Sequence, residues 1–182
     1  LLDAAAMTIA SKGSLGVASN TANNQASTSH TTGTTVADVG DLVIIIMACD
    51  NNQTTDGDEG MVTSVVESPS LGNVWNKAIE FCNGQGTAQA GATVSIWWTK
   101  VTTQMPLSTV IVFNFSNNAS RDESASTGWV FTTSTSITLA NTNALAGDGV
   151  TDNGTSLNAT TANVQCLRVR GIATELNDST QM

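Results

Sequence analysis

The sequence predicts an all-β protein: a β-sandwich, immunoglobulin-like or jelly-roll, of about nine strands with an extended N-terminal arm. Three observations carry that expectation. Short runs of β-branched and aromatic residues recur at regular spacing, several of them alternating with polar residues. Gly, Asn, Asp and Pro bound those runs, as turns require. No window of eleven or more residues carries the 3.6-residue period of an amphipathic helix.

The elements follow in chain order. Residues 1–35 are rich in Ser, Thr, Asn and Ala and poor in charge, and read as an extended arm that adds strands at its two ends. The β-sandwich domain is expected over 36–182. LVIIIMA (42–48) is apolar at every position and too short for a typical helix, so it reads as a central strand covered on both faces. MVTSVVES (61–68) alternates, SPSLGN (68–73) is a turn, and VWNKAIEF (74–81) is the next strand. GATVSIWWTKV (91–101) places Val94, Ile96 and Trp98 on one face. LSTVIVFNFS (107–116), TGWVFTT (127–133), SITLA (136–140) and VQCLRVRGIA (164–173) complete the set, with loops at 82–91, 117–126 and 141–163.

Composition narrows the function classes. A net charge of −9 with six Lys and Arg argues against nucleic acid and against anionic membranes, both of which need clustered cations. Charged residues are only 12%, so Ser, Thr, Asn, Gln and Gly must supply the polar surface, a mix common in extracellular β-domains and virion proteins. Cys49, Cys82 and Cys166 are odd in number and lack CxxC spacing, leaving buried reduced thiols or a single disulfide. The opening LLDAAAMTIASKG has no basic segment before an apolar run, so no signal peptide is expected in it.

Candidate chemistry is sparse. Asp50, Asp56, Asp58 and Glu59 cluster after the central strand; they form either a solvated turn or a calcium loop, calcium being the only cofactor the sequence suggests. The EF-hand template fails, since Gly60 stands at the fifth position from Asp56 and no Glu at the twelfth. The single histidine, His30, falls in the flexible-looking arm, where it cannot serve a rigid triad. Glu67, Glu80, Asp122, Glu123 and Glu175 show no catalytic pattern and read as surface charges, so no enzyme is expected. Tryptophan is the better lead. Trp97 and Trp98 are adjacent on a strand and must point to opposite faces, so one of them serves an interface or is shielded by the arm. Leu1, Leu2, Met7 and Ile9 are the arm's apolar residues and join that pair as expected contact residues.

The stretches VGDLVIIIMACDNNQTTDGD, VTSVVESPSLGNVWNKAIEFCNGQGTAQAGATVSIWWTKVT, FSNNASRDESASTGWVF and LRVRGIATE resemble a group of β-sandwich domains in proteins of tailed bacteriophages and related bacterial regions. The resemblance covers about residues 38 to 176. This chain departs from that pattern with Glu67 where Asp is frequent and SPSLGN where a tighter SAGN turn is common. The resemblance implies a virion component: a capsid decoration protein, a head fibre or a tail-associated domain, located on the virion surface or outside the cell. Its partners would be copies of itself and the major capsid or other virion proteins, reached by strand addition and apolar contact. Two other expectations stand beside it: a carbohydrate-binding module of a fibre or cell surface, with glycan as partner, and a self-assembling fibre subunit.

Overall fold

The computed structural model describes residues 8–22, 25–51, 56–57, 60–83, 91–116 and 123–134, together with 167, 169 and 171. None of them is helical. They form eight strands: β1 (Ile9–Asn20), β2 (Ser27–Thr31), β3 (Leu42–Asn51), β4 (Val62–Ser68), β5 (Asn76–Asn83), β6 (Gly91–Lys100), β7 (Val110–Phe115) and β8 (Ser124–Thr133). A five-stranded sheet runs β1-β8-β3-β6-β5, and a three-stranded sheet runs β2-β7-β4. The protein is a β-sandwich, with eight strands among the described residues against about nine expected.

Pairing is nested. β1 pairs with β8, β2 with β7 and β3 with β6, all antiparallel, so the chain runs as one long hairpin folded over on itself. Residues 1–35, read from the sequence as an arm, supply β1 to the larger sheet and β2 to the smaller one. The loop expected over 117–126 is strand from Ser124 onward. The expected strand at 136–140 lies outside the described residues, as does that at 164–173 except for Leu167, Val169 and Gly171.

β3 is the central strand its composition demands, flanked by β8 and β6. Val43, Ile45 and Met47 have no exposure and face the smaller sheet, where Val62, Val65, Ile111 and Phe113 complete the core. At about 25 cal/mol per Å2 of apolar surface, such burial is the main stabilising contribution.

Four register shifts decide which side chains join this core, because each extra residue reverses the alternation. In β1 the register shifts between Ser11 and Gly13 and again between Ser14 and Gly16. After the first shift Ser14 stands outward opposite Trp129, and Leu15 turns wholly inward. Its Cδ1 takes the space over Gly128, where a Cβ would stand 2.8 Å away, so a side chain at position 128 would have to displace Leu15. The shift between Val62 and Ser64 buries both Val62 and Val65. The shift between Lys77 and Ile79 turns Glu80 inward.

Candidate functional site

Apolar residues cover both faces of the larger sheet, and the outward face is the candidate site. Register aligns its rows: Trp129, Ile44, Trp98 and Asn76 in one, Thr127, Ile46, Ile96 and Ile79 in the next, Ala125, Ala48, Val94 and Phe81 beyond. Between Lys100 at one end and Asp50 at the other, β3, β6 and β8 place no charged residue on this face. Ile44 and Ile46 are 7% and 8% exposed, whereas Trp98, Trp129, Val94 and Ile96 are half-buried. Trp129 and Trp98 stand two strands apart, about 10 Å between their Cα atoms at ordinary strand spacing. The Trp98 indole N–H is buried without an acceptor.

Trp97 and Trp98 take opposite faces, as adjacent strand residues must. Trp97 faces the core at 5% exposure, with the Lys77 ammonium 5.6 Å from its ring centroid. Trp98 faces outward. The described segment over this outer face belongs to the C-terminal part of the chain: Gly171 lies against Ile46, Val94 and Ile96. Of the other expected contact residues, Ile9 opens β1 opposite Thr133 and is half-buried, while Leu1, Leu2 and Met7 lie outside the described residues.

The titratable residues corrected most from sequence expectation are Glu67, Glu80 and His30. Glu67 and Glu80 are not surface charges; they are 5% and 2% exposed. The Glu80 carboxylate accepts the backbone N–H groups of Met61 (2.5 Å) and Val62 (3.0 Å) and lies 3.2 Å from the Lys77 ammonium. It therefore ties β5 to the start of β4, joining the two sheets at one edge. Burial pushes its carboxyl above the ordinary carboxylate range, and the Val62 N–H, Lys77 and the Met61 N–H pull it back. Glu67 accepts the Trp75 indole N–H at 2.7 Å.

His30 sits in no flexible arm: it is wholly buried in β2, its Nδ1 2.9 Å from the Ser126 hydroxyl of β8. Ser124 donates to the Thr28 hydroxyl at 2.9 Å beside it, so the edge strand β2 of the smaller sheet is tied to β8 of the larger one as well. Burial holds the imidazole below its ordinary range, with the Leu15 backbone pulling the other way, and Nε2 has no partner in hydrogen-bond geometry. The sequence signal for these residues is indirect. Lys77 to Phe81 alternates poorly, and only a bulge reconciles Lys77, inward beside Trp97, with Ile79 outward and Glu80 inward. A histidine two positions from Thr28 on a five-residue strand shares its face.

The acidic loop divides. Asp50 ends β3 half-buried, and its N–H donates to the Glu123 carbonyl at 3.0 Å. Asp56 is exposed, and Gly57 exchanges two backbone hydrogen bonds with Cys82, closing part of the β5 edge. Asp58 and Glu59 lie outside the described residues. Among the described residues no group of three or more His, Cys, Asp or Glu comes together in a way that would hold a metal. Cys49 and Cys82 are buried, reduced thiols that flank Thr93 on β6, and Thr93 donates to the Cys82 sulfur at 3.1 Å. Cys166 lies outside the described residues.

Among the described residues Glu80 and His30 join the two sheets, and the outward face of the larger sheet offers apolar and aromatic surface. No protein-family model, curated protein or solved structure matches this chain.

Proposed function

We propose that this chain is a non-enzymatic structural protein of a virion surface, a capsid decoration subunit of a tailed bacteriophage that holds to capsid protein and to copies of itself. The observation that carries the reading is the uncharged outward face of the larger sheet, with Trp98 and Trp129 in one row. Nested pairing of β1 with β8, β2 with β7 and β3 with β6 supports it, because that wrapped order resembles a jelly roll, from which it differs in pairing β5 with β6 rather than with β4. Jelly rolls occur in viral capsid and lectin domains, an analogy of fold that adds to the resemblance in sequence. Many symmetric copies make individually weak apolar contacts durable.

The test is occupancy on capsid shells that lack the protein, measured by co-sedimentation. Trp98→Ser with Trp129→Ser should lower occupancy at least tenfold while the sheet circular dichroism persists; undiminished occupancy overturns the reading. Removal of residues 1–7, which precede β1, tests the share of Leu1, Leu2 and Met7 and should weaken binding further.

One observation favours a second reading, a glycan-binding module. Two tryptophans whose Cα atoms stand about 10 Å apart on one sheet face could stack on separate units of an extended sugar chain, stacking on aromatic rings being how such modules hold sugars. Glycan binding lost in the same double variant would establish it, and binding to no glycan would remove it.

A further inference from the structure

Gly171 stands where any side chain would have to displace its neighbours. A Cβ there would lie 2.8 Å from Val94 Cγ2, 2.9 Å from Ile46 Cγ2 and 3.6 Å from Ile96 Cγ1, the first two closer than real Cβ atoms come. Those three residues belong to neighbouring rows of the outward face, on β3 and β6. The backbone at position 171 is therefore pressed onto the apolar surface. Leu167 and Val169 are half-buried like Gly171, and the three share the period of two that keeps alternate residues on one side of an extended chain.

We propose that Leu167, Val169 and Gly171 mark a strap that the chain carries for its own outward face, with Gly171 as the point of closest approach. The occupant of the Ile46–Val94–Ile96 patch is then the same molecule's C-terminal segment, and the row holding Trp98 and Trp129 is what remains for a neighbour. Three physical facts favour this assignment. The patch is uncharged and needs an apolar cover. Gly171 lies against it, and glycine is the residue that lets a backbone approach so closely. Ile46, at 8% exposure, is the better covered of the patch, Val94 and Ile96 being half-buried. The inference stands whether or not the protein decorates a capsid.

The stretch 135–166 between β8 and Leu167 counts 32 residues, enough at about 3.3 Å per residue to reach a neighbouring molecule as easily as its own sheet. The decisive experiment therefore asks which chain supplies the strap. Val94→Cys with Gly171→Cys brings two Cβ positions within disulfide range. Mild oxidation should give a monomer with an internal 94–171 disulfide, mapped by peptide mass. A disulfide joining two chains overturns the proposal, and so does a folded double variant whose added thiols stay unlinked. Gly171→Val is measured alongside so that a folding defect in the double variant cannot mislead. It should shift tryptophan emission to the red and raise binding of a hydrophobic dye several-fold, with the sheet circular dichroism retained. Unchanged emission and dye binding overturn the proposal; so does loss of the sheet signal, since a strap is separable from the sandwich.

Discussion

The two faces of β3 carry nearly the same residue types and have different tasks. Val43, Ile45 and Met47 point into the sandwich, and Leu42, Ile44 and Ile46 point out of it. Inward, the neighbours are the second sheet and a set of polar groups, Glu80 and His30 among them, bound to backbone or hydroxyl partners. Outward, the neighbours are half-buried tryptophans and a glycine pressed against the sheet. The lesson is that hydrophobicity alone does not say whether a face makes the fold or meets something else. Among the described residues, polar ties from Glu80 and His30 help close the inward face, whereas the rows of the outward face holding Ile46, Val94 and Ile96 are covered by Gly171.

The largest expected effect sharpens this contrast. Ile45→Ala should cost about 4 kcal/mol in denaturant unfolding, because a wholly enclosed side chain leaves a cavity, while Ile96→Ala on the outward face should cost about 2 kcal/mol. Equal losses would mean that the strap encloses the outer face as tightly as the second sheet encloses the inner one. Next is Glu80→Ala, which strips two buried N–H groups and Lys77 of their acceptor and should cost about 3 kcal/mol. A loss below about 1 kcal/mol would show that this edge is not held by the carboxylate.

Gly128→Ala should cost about 2 kcal/mol by driving a methyl group into Leu15 and the Ile44 carbonyl, and Leu15→Ala combined with it should recover part of that loss. A cycle with no coupling would separate the two positions. The smallest effect is on pH dependence. The folded-state pKa of His30 lies below 6.5, so its stabilising share is whole above that pH and is lost as pH falls from 6.5 toward the folded value. The slope is at most about 1.4 kcal/mol per pH unit for one proton. Glu80 has the opposite sign: its raised pKa makes its contribution greatest below 4.5 and diminishing as pH rises beyond it. Thermal unfolding between pH 7 and 5 should therefore show a fall that His30→Gln removes, and an unaltered profile in that variant would assign the fall elsewhere.

Much of the fold was legible. An unbroken apolar run bounded by Gly40-Asp41 and Asp50-Asn51 has to be an interior strand, and β3 is one. The doublet Trp97-Trp98 had to split between faces, which already implied a covered outer surface. Less of the candidate site was legible. The outward row of Trp129 and Trp98 joins residues 31 positions apart, and only the placement of β3 between β8 and β6 makes them neighbours of Ile44. His30 gave no warning in a Ser/Thr tract, since a five-residue strand is too short to display its buried face.

The sequence by itself determined strand character, the absence of a helical period and the low-charge surface, because these rest on local propensity and on alternation within a few residues. Tertiary structure alone decided strand order, the two sheets to which residues 9–31 contribute, and the side to which Leu15, Val62 and Glu80 turn. The physical reason is the bulge. One unpaired residue reverses every following side chain, and where it falls is set by the partner strand rather than by the bulged one.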